Sequence, residues 1–344
     1  QILKDADYAE AAVPIAAALE DPDDRVQLAA IDAERTLFTT RPVARRKKIG
    51  FVVEVRTIAG GDAAATGQLA LKTRTVPRQV LASLAVALRD NNSRVRAEAV
   101  NLASLLGPYA CTVRLKPDPT DVTAACDDIG NALVENLNSR EPLLRRAAMQ
   151  VLGQVRYPNA VQALSDRFSY HQRGPDAMAA LEGLAGIGHP TSVSVFEQLL
   201  TNSNAGMRRY AVEGLARIGN RDALPALQQM GQSERSNGVL LALHYANVKL
   251  GEVASSLEQL VAALDNESQR PVVLNYLLDI AVQSGPAVAE SLKHESADVR
   301  RLIADVLGFS RDPNVIPMLE TATKDADPDV AAAAGQAIVR VKLE

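Results

Sequence analysis

A chain of 344 residues with net charge −4, no Trp and 3% aromatic residues shows no global signature of nucleic-acid binding. Aliphatic residues and Ala dominate, which suits closely stacked helices better than one large aromatic core. No apolar run reaches the ~18 residues of a membrane-spanning helix, and the length allows two ordinary domains or one uninterrupted repeat array.

An Ala-rich helix is predicted from Tyr8 to Leu19, followed by the turn Asp21-Pro22-Asp23-Asp24 and a second helix from about Val26. Pro is tolerated in a first helical turn, and Asp, Asn or Ser caps its free amides. The same turn chemistry returns at Asp90-Asn91-Asn92-Ser93, Asn202-Ser203-Asn204, Asp265-Asn266-Glu267-Ser268 and Asp327-Pro328-Asp329. The first apolar residue near each second-helix start is Val26, Val95, Leu144, Ala177, Met207, Val239, Val272, Val299 and Val330, which gives about nine helix pairs. The later gaps lie near 31 residues, with one short unit ahead of Val299. Glu182-Gly183-Leu184-Ala185-Gly186-Ile187-Gly188 returns 31 residues on as Glu213-Gly214-Leu215-Ala216-Arg217-Ile218-Gly219. A fixed period of this size marks a solenoid in which no unit buries its apolar face alone. Gly107, Gly188, Gly219, Gly251 and Gly308 are expected to end second helices, where a left-handed residue is wanted.

Two stretches interrupt the period. Residues 41–79 hold two strand-like runs, Ile49 to Ile58 and Gln68 to Val76, joined by a small-residue loop, and predict an inserted β-hairpin. Nine basic residues against Glu54 and Asp62 make this segment +7, leaving −11 for the remainder of the −4 chain. It reads either as a solvated arm docked on its own acidic solenoid or as a contact arm for an acidic protein or anionic surface. Arg45, Arg46, Lys47, Lys48, Arg56, Lys72 and Arg74 are its candidate contact residues. Residues 108–126 read as an irregular surface loop around Pro117-Asp118-Pro119. It contains Cys111 and Cys126, which are either unrelated thiols or a disulfide closing that loop. The paired Cys and a first residue, Gln1, that is not Met lean toward an extracytoplasmic protein.

Convergent polar groups are scarce along the helices, so no catalytic, cofactor or metal site is assigned. His171, His189 and His244 are read as turn, junction and packing residues. The Arg residues that open second helices, among them Arg208, Arg209, Arg300 and Arg301, either line one face or pair with turn acids such as Asp298 and Asp329 as a ladder between repeats. Tyr210, Tyr245 and Tyr276 join Arg208, Arg209, Arg300 and Arg301 as candidate partner contacts, because Tyr and Arg are enriched in interface hot spots.

The pattern Asp-Pro-Asp-x-x-Val-Arg, then Ala and Leu at helical spacing, then Gly-x-Ile-Gly-x-x-x-Ala-x-Pro-x-Leu resembles the HEAT-like repeat of the phycobilisome-lyase type. Met207–Leu227, Val299–Leu319 and Asp327–Val341 carry it best. The resemblance implies an all-α, right-handed α–α superhelix whose relatives act mostly as scaffolds or adaptors, with bilin lyases, DNA glycosylases and di-iron hydroxylases as a minority. The hydroxylases carry several His-Glu pairs; this chain has one, His294-Glu295, so those metal ligands do not carry over. The sequence therefore predicts a single solenoid over 1–344 that binds a protein along a concave face lined by second helices. Nucleic-acid or anionic-surface binding through 41–79 is the alternative. Self-association, through the hairpin edge or through the apolar helix ends near Tyr8–Leu19 and Val330–Val339, is a further one.

Overall fold

The structure, a computed structural model, describes residues 8–39, 69, 71, 76–111, 122–251 and 254–343. Among these residues it is helical, with seventeen α-helices, short 3₁₀ turns and no strand element. In chain order they are α1 (Tyr8–Ala17), α2 (Asp24–Phe38), α3 (Arg78–Ala87), α4 (Ser93–Cys111), α5 (Val122–Asn136) and α6 (Pro142–Gln154). There follow α7 (Val161–His171), α8 (Gly174–Ile187), α9 (Val193–Leu199), α10 (Ala205–Ile218), α11 (Leu224–Gly231) and α12 (Asn237–Leu250). The last five are α13 (Ala254–Ala262), α14 (Arg270–Ala289), α15 (Ala297–Leu307), α16 (Ile316–Ala322) and α17 (Pro328–Leu343).

The capping chemistry works as the sequence predicts. Asp23 accepts from the Arg25 amide at 2.9 Å and Asn204 from the Gly206 amide at 2.8 Å, opening α2 and α10. Asp327 accepts from the Asp329 amide at 2.9 Å at the start of α17. Each such cap contributes about 1 kcal/mol. Gly188, Gly219 and Gly251 follow α8, α10 and α12 with positive φ of 63°, 79° and 118°. Gly308 follows α15 with φ −59°, so close packing against Ala337, not a left-handed turn, accounts for it.

The chain divides into two compact units: unit 1 is Gln1–Thr39 with Thr75–Ser233, and unit 2 is Thr40–Arg74 with Glu234–Glu344. In unit 1 the first helices α1, α3 and α5 pack in succession, and the second helices α2, α4, α6, α8 and α10 stack side by side. Their shared faces are filled by small and aliphatic residues such as Ala180, Leu181, Leu184, Ala211 and Leu215, all fully buried. In unit 2, α12, α14, α15 and α17 form the corresponding series. The apolar run of α17 goes inward at Val330, Ala333, Ala334, Ala337 and Val341. Arg340 lies 4.0 Å above the Phe309 ring and donates to the Leu71 carbonyl at 2.8 Å.

Two expectations change. Nine pairs would need eighteen helices, and seventeen are described: the short unit ahead of Val299 has no separate first helix. The tail of α14 takes its place after a break at Ser284 (φ −141°, ψ 42°), two residues before Pro286, which lacks the amide proton a helix needs. The irregular loop expected from Pro108 begins later, because α4 continues through Gly107 and Pro108 to Cys111. Its 112–121 portion, and the hairpin expected in 41–79 apart from residues 69, 71 and 76–79, lie outside the described residues. Finally, Arg270–Lys293, with mean hydropathy 1.3, is long and apolar enough to cross a membrane by length and composition, but half of that stretch is buried inside the protein.

Cys111 at the end of α4 and Cys126 in α5 form a disulfide, with Cα atoms 5.5 Å apart. A closed loop of this size contributes about 3 kcal/mol on chain-entropy grounds. Reduction, or the double substitution Cys111→Ser and Cys126→Ser, is expected to lower the melting temperature of unit 1 by roughly 6–12 °C. Differential scanning calorimetry with and without reductant checks this, and an unchanged transition would contradict it.

Candidate protein-binding face

One guanidinium contact recurs at the start of second helices. Arg96, Arg145, Arg208, Arg270 and Arg300 each fold back onto the carbonyl six residues earlier: Asp90 at 2.6 Å, Ser139 at 2.8 Å, Asn202 at 2.8 Å, Leu264 at 2.6 Å and His294 at 2.8 Å. The turn between the paired helices is thereby tied to the second helix. Several of these side chains also reach onward to another repeat, among them Arg96 to Asn136 at 3.1 Å, Arg145 to Asp176 at 2.8 Å, Arg270 to Asp298 at 3.3 Å and Arg300 to Asp325 at 2.8 Å.

Asp176 receives both Arg145 and Arg146, the latter at 2.7 Å. Burial alone would raise its pKa, but the two guanidinium groups hold it below the usual carboxylate value. Hydrogen bonds from Arg300 and from the Asp327 amide likewise lower Asp325. The Arg series is thus a ladder between repeats. The acid chosen by Arg300 is Asp325 and not Asp329, while Arg301 lies 3.4 Å from Asp298 and 3.3 Å from Asp305.

Beside this ladder the second helices of unit 1 carry a row of polar groups, exposed at Arg35 and Gln150 and buried at Tyr210 and Glu213. Arg35 of α2 faces Glu98 of α4 at 3.5 Å, and Gln150 of α6 donates to Glu182 of α8 at 2.9 Å. Tyr210 of α10 hydrogen-bonds Glu182, and burial with that carboxylate pushes its phenol pKa up. Arg209 lies 3.4 Å from Glu213, and Arg217 donates to the Ala185 carbonyl at 3.2 Å. The result is a row of polar side chains already fixed by one another, an arrangement that lowers the ordering cost of an association.

Unit 2 has its own polar cluster between α12 and α14. Tyr245 donates to Asp279 and stacks on Tyr276 at 4.5 Å, while Lys249 sits 3.5 Å from Asp279 and donates to Gln283 at 2.7 Å. Tyr210, Tyr245 and Tyr276 are 8%, 0% and 1% exposed, so they are core residues and not the partner contacts expected. Their spacing could have shown this: Met207, Tyr210, Ala211 and Leu215 form an i, i+3, i+4, i+8 stripe, and Val273, Tyr276, Leu277 and Ile280 an i, i+3, i+4, i+7 stripe. Arg208, Arg209, Arg300 and Arg301 are half-buried and engaged as described. Arg45, Arg46, Lys47, Lys48, Arg56, Lys72 and Arg74 lie outside the described residues.

The histidines hold local structure. His189 Nδ1 lies 3.3 Å from the Thr191 amide, and His294 Nδ1 accepts from the Ser296 amide at 3.1 Å. His244, its pKa lowered by burial, lies 3.5 Å from Ser256. His171 Nε2 is 3.6 Å from Asp176.

The chain is similar in part to known proteins. A family profile of HEAT repeats matches residues 171–246 and 285–344. A phycobilisome maturation protein of Synechococcus elongatus is 27% identical over 179 residues, 51% of this chain and 84% of that protein. Among solved structures, the complex of CpcE and CpcF of phycocyanin lyase from Nostoc is 19% identical, with 77% of this chain and 94% of that chain covered and a TM-score of 0.46. Importin beta is 14% identical, with 99% of this chain and 53% of that chain covered and a TM-score of 0.37. Stacked helix pairs with recurring Arg-tied turns thus make a helical repeat array, and within it residues 171–246 and 285–344 match HEAT repeats.

Proposed function

We propose that the chain is a scaffold or adaptor that binds another protein along the second-helix face of its repeats. The observation that carries this is the preorganised pair on α6 and α8, in which the exposed Gln150 donates to Glu182, itself held from beneath by the buried Tyr210 of α10. A surface built this way presents many shallow, fixed polar contacts, which suits a protein partner. The test is Gln150→Ala with Glu182→Arg, assayed by calorimetric titration against the protein that co-purifies with the wild-type chain. Binding is expected to fall by about tenfold or more, as when one strong contact is lost. Unchanged affinity in a variant with wild-type helicity would refute this face.

In the same reading the basic segment 41–79 is a second contact, expected as a hairpin. Salt dependence separates its uses: attachment to a phosphate backbone weakens steeply between about 50 and 200 mM salt, and an apolar protein contact changes little.

A second reading, that the partner is a phycobilisome component, is favoured by the 27% identity to a phycobilisome maturation protein over 51% of this chain. Incubation with phycobilisome apo-subunits and free bilin tests it twice. Binding without covalent chromophore supports an adaptor, covalent absorbance supports a lyase activity, and the absence of both refutes this reading.

A further inference from the structure

The most exposed large apolar side chains of unit 1 do not lie on the second-helix face. Tyr170, at the end of α7, is 82% exposed, and Leu143, in the first turn of α6, is 78% exposed. Both sit on the edge where paired helices turn, in neighbouring repeats. That edge is held firmly. Arg167 of α7 donates to Asn138 of the preceding turn at 2.6 Å, and Arg145 and Arg146 clamp Asp176 at the start of α8. The Tyr170 ring is set edge-on against His171 at 5.0 Å, and His171 is 3.6 Å from Asp176.

The charge beside these two apolar groups is positive. Residues 138–146 and 166–176 carry five Arg against Glu141, Asp166 and Asp176, a local balance of +2 in a chain of −4. Arg140 and Arg173 are exposed, and neither side chain makes a hydrogen bond or ion pair among the described residues. Arg173 also stands on the rim of a depression of about 320 Å³ between the turns at 172–174 and 202–204, floored by Met207. Two anchors standing clear of the surface, two uncommitted guanidinium groups and a rigid frame are what an acidic chain with an apolar side chain would meet.

We propose that the turn edge of unit 1 at Leu143, Tyr170, Arg140 and Arg173 is a docking surface for an acidic polypeptide segment carrying a large apolar side chain. This rests on the protein-binding reading but uses a different surface, so the two fail separately. The probes are fluorescein-labelled twelve-residue peptides rich in Asp and Glu with one Leu or Phe, and the same peptides with Lys in place of the acids. Anisotropy should show saturable binding of the acidic set only, weakened at higher salt. Tyr170→Ser and Arg173→Glu should each weaken it by about tenfold or more, while Gln150→Ala with Glu182→Arg leaves it unchanged. Both positions are solvent-exposed, and circular-dichroism melts matching the wild type establish that the variants fold. Equal binding of acidic and basic peptides, or binding indifferent to Arg173→Glu, would overturn the proposal. So would self-association of the chain abolished by the same substitutions, since the edge would then be taken by a second copy.

Discussion

Glu34→Gln should stabilise unit 1 at pH 8 by several kcal/mol and by much less at pH 5. Glu34 lies in the inward stripe of α2 with Ala30, Ile31 and Phe38, is fully buried, and neither carboxylate oxygen has a hydrogen-bond partner among the described residues. A charge in that position loses its hydration without compensation. Burial accordingly raises its pKa from 4.5 to about 8. Between those values the folded chain holds a proton that the unfolded chain has released, so stability falls as pH rises from about 4.5 to 8 and is fullest below that window. The loss across the window is on the order of 4 kcal/mol. Gln cannot ionise, so the variant should lose this pH dependence. Urea unfolding of both proteins at pH 5 and pH 8 checks it. A wild-type profile as flat as the variant's would mean that Glu34 is already compensated.

Why was that carboxylate not legible, when so much else was? The repeats were readable because they are made by local chemistry. An Asp or Asn cap, a Pro in the first turn and a Gly after the last each act within a few residues, so the sequence carries the signal directly. The Val-Arg, Leu-Arg and Met-Arg pairs at 95–96, 144–145, 207–208 and 299–300 were visible too. Their geometry was not, since it depends on where the neighbouring turn lies. Glu34 and Tyr210 failed for a related reason. A polar residue inside an apolar stripe can be a buried group or the edge of an exposed face, and only the packed neighbour decides. Leu143 and Tyr170 were missed from the opposite side, being apolar residues at helix ends that no second layer covers.

Gly183→Ala should destabilise unit 1, although Ala is the better helix former. The second helices α6 and α8 meet backbone to backbone at Gly153, Gly183 and Gly186. A Cβ on Gly183 would lie 2.6 Å from the Met149 carbonyl oxygen, and one on Gly153 would lie 2.9 Å from the Gly183 Cα. A Cβ on Gly186 would come within 2.7 Å of the Gly153 Cα. These are main-chain atoms, so no side chain can swing aside and the helices must separate. Replacing Gly by Ala inside a helix gains about 1 kcal/mol of propensity. Forcing extra volume into a closed contact costs about 1–3 kcal/mol, and more where backbone must move, so the packing term should win. Gly335 in α17 supplies the opposite sign: a Cβ there meets nothing within 4 Å, so Gly335→Ala should stabilise its helix. Thermal melts of the two variants should therefore shift in opposite directions. If Gly183→Ala melts higher than the wild type, the close approach of α6 and α8 is not what requires glycine at that position.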